Sequence, residues 1–268
     1  MKINTNLKAL GVAATMLTGF VLGGSATAFA EGEENKGHGG AYTSTTTIKF
    51  KPSGGEGSVT PPVDPTDPGN EINPEPENPD GSTPEGGTNG PLSIDYASSL
   101  SFGDPEISSF TKRYDVNPQK FGNRTPAEGP NYVQVTDSRG TQAGWILQVK
   151  QSGQFETAEK EELQGAKIIF SNVGVNSAAQ STHATSPDSF DLKFDTDGNP
   201  VAETVMTAVK GAGAGTFVLA FGDNNTAAKS IQLEVPGSST KYAKQYSTTL
   251  TWTLTEAPGQ DVGEGTGE

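Results

Sequence analysis

The two tryptophans of this 268-residue chain lie in matching tripeptides. Trp145-Ile-Leu147 and Trp252-Thr-Leu254 are each a Trp-x-Leu motif inside a run of strand-forming residues, and Tyr246 opens the run that holds the second one. Because residues i and i+2 of a strand share a face, each motif sets an indole beside a leucine on one apolar face. An indole can fill a core, or it can stack on a sugar ring while its N–H donates a hydrogen bond. Both uses are considered for each tryptophan. The run of Trp252 is the last in the chain and is the one expected at a sheet edge, so we predict that Trp252 contacts a ligand and that Trp145 stabilises the fold. In a third arrangement the two stripes adjoin and shape a binding surface without touching the ligand.

Material for catalysis or metal binding is scarce in this chain. There is no cysteine, and of the two histidines His38 lies in a Pro/Gly-rich segment and His183 in a Ser/Thr-rich one. The stretch Asp195-Thr-Asp-Gly198 resembles the start of a calcium loop, but its glycine comes too early and Met206 stands where such a loop needs a glutamate. We interpret it as an Asp-Gly turn. The sequence therefore predicts no catalytic residue, no cofactor and no metal, and a binding protein rather than an enzyme.

The charge balance restricts the partners. Eighteen basic residues face 32 acidic ones, for a formal net charge of −14. Nucleic acid is disfavoured, because affinity for it comes chiefly from cationic contacts to phosphate. Other polyanions are disfavoured because the net negative charge would repel them.

The N-terminal region has the features of an export signal. Lys2 and Lys8 precede an apolar stretch at Ala9–Leu22, and Ala28-Phe-Ala30 provides the small residues that signal peptidase needs. We expect residues 1–30 to be a signal peptide, with no transmembrane segment left after cleavage. Residues 259–268 read as a flexible tail without a hydrophobic stop-transfer segment or a sorting motif, so retention at a surface would be non-covalent.

Residues 31–90 form an acidic Pro/Gly-rich zone, with nine of the 18 prolines between Pro52 and Pro84. Such a composition favours extended, solvated chain, and we predict a disordered N-terminal spacer. One patch differs. Tyr42–Phe50 is rich in β-formers, and Tyr42, Ile48 and Phe50 share a parity. It is either a short strand or a piece that docks on another chain.

Residues 91–258 have the pattern of an all-β domain. Short alternating runs are separated by Gly, Asn, Asp and Pro clusters, with no convincing amphipathic helix between them. The clearest runs are Tyr132–Val135, Trp145–Lys150, Ala166–Phe170, Thr216–Phe221, Ser230–Val235 and Tyr246–Thr255. This spacing predicts an antiparallel β-sandwich, Ig-like or related, with mobile surface loops such as Val209–Gly215.

The two Trp-x-Leu motifs and their flanks resemble those of the WxL-domain family of cell-surface proteins in low-GC Gram-positive bacteria. Asn131–Gly140, leading into Gly144-Trp145, is similar to the block before the family's proximal motif, and Tyr246–Leu254 followed by Pro258 is similar to its distal block. The export signal and the proline-rich linker fit as well, so nearly the whole chain is covered.

The resemblance implies non-covalent attachment to the cell wall by association with peptidoglycan. It also implies a surface complex, since short members of the family tend to accompany larger WxL proteins and a membrane-anchored companion. The expected binding residues are then those of the motifs, Trp145, Leu147, Trp252 and Leu254, with Tyr246. The alternative is a structural subunit or adhesin of a surface assembly that is retained at the wall only through a protein partner.

Overall fold

A computed structural model describes residues 43–53, 60–70 and 76–257. The chain divides between Ile48 and Lys49 into two units, and of the first only residues 43–48 are described. The expected signal peptide, Tyr42 and the C-terminal tail lie outside the described residues.

Fourteen β-strands account for the regular structure. In chain order they are β1 (Pro76–Glu77), β2 (Leu92–Ala97), β3 (Lys112–Asp115), β4 (Gln119–Phe121), β5 (Glu128–Gly129), β6 (Asn131–Asp137), β7 (Trp145–Gln151), β8 (Lys167–Phe170), β9 (Val173–Asn176), β10 (Phe190–Asp191), β11 (Glu203–Ala208), β12 (Gly215–Phe221), β13 (Ile231–Val235) and β14 (Leu250–Glu256). A three-residue 3₁₀ turn, Ala227–Lys229, is the single helical element in the described part of the chain. No described helix has both the length and the apolar character to cross a membrane.

The strands form four sheets whose neighbouring strands all pair antiparallel. Their orders are β2-β6-β12-β9, β10-β8-β13-β3, β11-β7-β14 and the small β1-β4-β5. The first three enclose one large core, to which they contribute alternate residues such as Val133, Leu147, Phe217 and Ile231. The predicted all-β antiparallel sandwich is confirmed, and each of the six predicted runs contains most of a strand.

The sheet β2-β6-β12-β9 is buried on both faces. Every residue of β6 is buried, and so are the last five of β12. One face adds to the large core. The other carries Tyr132, Val218 and Ala220, which form a second cluster with Tyr96 and Phe121. A sheet buried on two sides needs two covers, and the second cover comes from the N-terminal zone.

Residues 60–70 lie on that second face, which differs from the expectation of a solvated spacer. The backbone N–H of Val63 donates to Gln134 Oε1 at 2.7 Å, and Gln134 Nε2 donates to the carbonyl of Pro61 at 3.0 Å. Gln134 is fully buried in β6, so its amide must find partners inside the protein. The spacer backbone supplies them, which explains why this segment is ordered against the sheet.

A buried ion pair fastens the same segment. Arg124 Nε donates to Asp64 Oδ2 at 2.7 Å, and the two side chains are 2% and 9% exposed. The guanidinium also donates to Thr66 Oγ1 at 2.9 Å and to Asn224 Oδ1 at 2.8 Å. We call these four residues the Asp64–Arg124 latch. Further along the zone, β1 pairs with β4.

Residues 43–50 carry no regular secondary structure. Their two large apolar side chains, Ile48 and Phe50, are 79% and 83% exposed. The structure therefore gives no strand pairing to the described part of the Tyr42–Phe50 patch.

Candidate functional site

Trp145 of the proximal motif is a core residue. Its side chain is fully buried, with its ring edge-on to Phe217 at a centroid distance of 5.9 Å. The indole Nε1 donates to the carbonyl of Gly213 at 2.9 Å, so the one polar atom of the ring is satisfied inside the protein. Leu147 is also fully buried. Trp145 and Leu147 thus have no exposed surface to offer a ligand.

The missing side chain of Gly213 leaves the space that the indole of Trp145 occupies. The φ of Gly213 is +78°, and a Cβ at this position would lie 2.3 Å from Ala208 Cβ and 2.6 Å from Trp145 Nε1. The surrounding loop, expected to be mobile, instead packs with Ala212 buried beside the core.

The distal motif lies directly beside the proximal one. Strand β14 pairs with β7 so that Trp252 stands opposite Val149 and Leu254 opposite Leu147. Side chains directly opposite in an antiparallel pair share a face. The two motifs therefore form one continuous apolar stripe on the inner face of the sheet, so the two predicted stripes adjoin.

Trp252 and Leu254 are only partly buried, in contrast with Trp145 and Leu147. The reason is position in the sheet. Strand β7 lies in the middle of β11-β7-β14, whereas β14 is at the edge. Tyr246, just before β14, is also partly buried, and its hydroxyl accepts a hydrogen bond from the N–H of Tyr242 at 2.9 Å.

The backbone of β14 has a free edge. Thr249 O accepts from Ser152 N at 2.8 Å, and Ala257 N donates to Gly144 O at 3.3 Å. Odd-numbered residues of β14 thus turn their backbone groups toward β7. Since successive residues of a strand point these groups to opposite edges, those of Leu250, Trp252 and Leu254 point away from β7. Among the described strands β7 is the only partner of β14.

A groove of about 720 Å³ opens beside this free edge. The start of β14 (Thr248–Trp252) forms one wall, and β2 with the residues after it (Ile94–Phe102) forms another. Pro84–Thr88 of the N-terminal zone closes a third side, and Phe155 and Ile168 add apolar surface. Gly87 permits this closure, because a Cβ there would lie 2.6 Å from the carbonyl oxygen of Asp95. We call this the β2–β14 groove.

Among the described residues that line the groove there is no lysine or arginine, and the acidic ones are Glu85 and Asp95. The carboxylate of Asp95 is buried, whereas Glu85 is exposed. Burial raises the pKa of Asp95, although hydrogen bonds from Ser93, Thr136 and Gln134 act in the other direction. Serine and threonine hydroxyls and aromatic rings make up much of the rest. Such a surface suits a neutral ligand that offers hydroxyl and amide groups together with apolar ring faces.

An arginine clamp holds the far end of β14. Arg139 donates to Glu256 Oε1 at 2.7 Å, to Asp137 Oδ2 at 2.8 Å and to the carbonyl of Gly144 at 2.9 Å. These carboxylates raise the pKa of Arg139. Its structural role is to tie the last strand to the beginning of β7.

The other sequence candidates do not converge on a site. His183 is exposed, with its ring 5.7 Å from that of Phe217, and His38 is outside the described residues. Asp195 accepts the backbone N–H groups of Asp197 and Asn199, as an Asx turn does. In the described ranges no group of three potential ligands is placed to hold a metal ion.

The described residues form an all-β domain with a partly aromatic groove beside its last strand. A family model described as WxL domain surface cell wall-binding matches residues 37–258. The match spans well over half of the chain, and the chain belongs to this family. It is a cell-wall-binding surface protein, and its place is the cell wall and cell surface. Comparisons with curated proteins and with solved structures give no match.

The sequence did not point to two of the three walls of the groove. Pro84–Thr88 was assigned to the spacer, and Leu100 and Phe102 stood outside every predicted run. The Gly86-Gly87 pair was the available signal, because paired glycines often mark a close approach of two backbones.

Proposed function

We propose that this protein attaches non-covalently to the peptidoglycan of a Gram-positive cell wall through the β2–β14 groove, as a member of a surface complex. One observation carries the proposal. The half-buried Trp252 lines a groove that has hydroxyl groups, aromatic rings and no cationic side chain.

The two tryptophans differ in burial, and this difference supports the groove as the binding site. Trp145 is sealed in the core with its N–H satisfied, so it acts through the fold. Trp252 keeps part of its ring at the groove, where a sugar face can stack on it. Leu147 and Leu254 set the two strands in register and hold Trp252 in place.

Charge selects among the wall polymers. The net charge of −14 and the carboxylates of the groove disfavour polyanionic teichoic acids. The glycan strand of peptidoglycan offers hydroxyl groups and amides, which fit the lining.

Sedimentation with purified, protein-free sacculi tests the proposal. The chain without residues 1–30 is expected to pellet with sacculi, and Trp252→Ala is expected to bind at least about tenfold more weakly, a loss of about 1.4 kcal/mol. Thr253→Ala is the matched control, because Thr253 lies next to Trp252 but is exposed on the opposite face of β14. Binding is measured well below the melting temperature of each variant.

Two results would contradict the proposal. If the parent chain stays in the supernatant, retention at the wall runs through a protein partner, which is the alternative function. If Thr253→Ala loses as much binding as Trp252→Ala, the contact surface is not the groove. We also infer binding without catalysis, and release of soluble wall fragments by the purified chain would overturn that inference.

A further inference from the structure

The segment 43–50 has the properties of an unpaired strand. It consists of threonine, serine, isoleucine, lysine and phenylalanine, most of them β-branched or aromatic, and it lacks secondary structure. Ile48 and Phe50 would share a face in a strand, and both are almost fully exposed. Two large apolar side chains at alternate positions of an exposed segment mark a surface that lacks its partner.

The β2–β14 groove has the properties of an acceptor for such a strand. The free backbone groups of Leu250, Trp252 and Leu254 lie at the edge of β14. Leu100, Phe102 and Phe155 present apolar surface beside them. An extended peptide that adds to a free sheet edge gains main-chain hydrogen bonds, and its alternate side chains fill adjacent apolar surface.

The two surfaces match in length and in charge. The eight residues 43–50 are enough to pair along all seven residues of β14. The segment has one cation, Lys49, and no acidic residue, whereas the described lining of the groove has the accessible carboxylate of Glu85 and no cation.

We propose that residues 43–50 of one copy of this chain pair with the free edge of β14 in a second copy, with Ile48 and Phe50 packed in the β2–β14 groove. Donor and acceptor reside on the same polypeptide, so the pairing joins copies either reciprocally into a dimer or head to tail into a longer chain. The strand and the wall glycan occupy the same groove, and self-association therefore competes with wall binding.

Analytical ultracentrifugation without wall material tests the pairing. The chain without residues 1–30 is expected to self-associate, and the double variant Ile48→Asp with Phe50→Asp is expected to associate at least about tenfold more weakly. The matched control, Thr45→Asp with Thr47→Asp, adds the same charge on the opposite face of the strand. It is expected to stay within about twofold of the parent. A parent chain that stays monomeric, or a control that loses association equally, overturns the proposal.

Engineered cysteines locate the acceptor, since the natural chain has none. Lys49 and Thr251 would both face outward on neighbouring strands. A mixture of Lys49→Cys and Thr251→Cys chains is therefore expected to form a mixed disulfide on mild oxidation. Thr204→Cys is the control acceptor, because Thr204 is exposed on the same sheet but lies on β11 at the opposite edge. Equal cross-linking to Thr204→Cys would overturn the assignment to β14.

The self-association experiment and the sedimentation experiment with sacculi test the two proposals independently of each other. A monomeric parent that still pellets with sacculi removes the strand pairing and leaves the wall site standing. The double variant Ile48→Asp with Phe50→Asp leaves the groove open. If the parent self-associates and this variant does not pellet with sacculi, the wall site is removed and the strand pairing stands.

Discussion

Removing the carboxylate of the Asp64–Arg124 latch should destabilise the domain strongly. Asp64→Ala leaves the Arg124 guanidinium buried, since that side chain is 2% exposed, without its anionic partner. Breaking a buried ion pair in this way costs about 3–5 kcal/mol. Arg124 keeps neutral acceptors in Thr66 and Asn224, so we expect the lower end, about 3 kcal/mol. That is a large part of a typical domain stability of about 5–15 kcal/mol.

Thermal and denaturant unfolding measure this effect. A loss of about 3 kcal/mol lowers the melting temperature by roughly 6–12 °C in a domain of this size. Asp67→Ala is the control, because Asp67 is an exposed acid of the same segment, and its effect should stay within about 0.5 kcal/mol. Adding Arg124→Met to Asp64→Ala removes the stranded charge and should restore part of the stability.

If Asp64→Ala and Asp67→Ala have the same melting temperature, the prediction is wrong. Residues 60–70 would then contribute no more to the stability of the domain than a solvated spacer does. A pH titration provides a second check. Burial raises the pKa of Asp64, but the hydrogen bonds from Arg124 and Thr66 outweigh it and hold the pKa below its ordinary value. The stabilisation is therefore present at neutral pH and lost as the pH falls through that lowered pKa. Asp64→Ala should lack this acid-dependent loss.

Three further outcomes are expected. Trp145→Ala should cost about 3–5 kcal/mol in denaturant unfolding, because it empties a fully buried site, and a smaller loss than for Trp252→Ala would reverse the roles of the two motifs. Gly213→Ala should lower the melting temperature more than Gly211→Ala. Both glycines have a positive φ, but only at Gly213 would the new Cβ meet other atoms within 4 Å. Equal shifts of the melting temperature would show that the close approach of Gly213 to Trp145 is unimportant. Burial raises the pKa of Asp95, so the folded protein takes up a proton there at a higher pH than the unfolded chain. The parent should therefore gain stability relative to Asp95→Asn as the pH falls through that raised pKa toward the ordinary value of 3.8. A stability difference that does not change over this pH range would contradict the burial of the charge.

The strand pattern was readable because it depends on neighbours along the chain. Runs such as Trp145–Lys150 and Ser230–Val235 alternate between a buried and a less buried face, and that alternation survives in β7 and β13. The Trp-x-Leu motifs with their flanks were also sufficient for the family. The family match now confirms that assignment together with localisation at the cell wall.

The cover over the second face of the β2-β6-β12-β9 sheet was not read from the sequence. Phe217-Val-Leu-Ala-Phe221 is apolar without a break, which is the pattern of a strand buried on both faces, and such a strand requires a second cover. Composition assigned residues 60–70 to solvent, because few of them are apolar. They are held instead by polar groups, such as the buried amide of Gln134, whose partners lie more than 70 residues away.

What the sequence alone determined was the all-β class, the membership of the family and the apolar stripe of each motif, because periodicity and short motifs are local properties. The sequence favoured Trp252 for the accessible role only because its run is the last one. The tertiary structure alone decided that β14 is an edge strand beside a groove, with Trp145 fully buried and Trp252 partly buried. Both motifs have the same residues at the same spacing, yet one lies on a central strand and the other at an edge beside a groove. Strand order in a sheet is a long-range property, set by which buried faces and backbone groups find partners, and two Trp-x-Leu motifs of the same spacing contain no record of it.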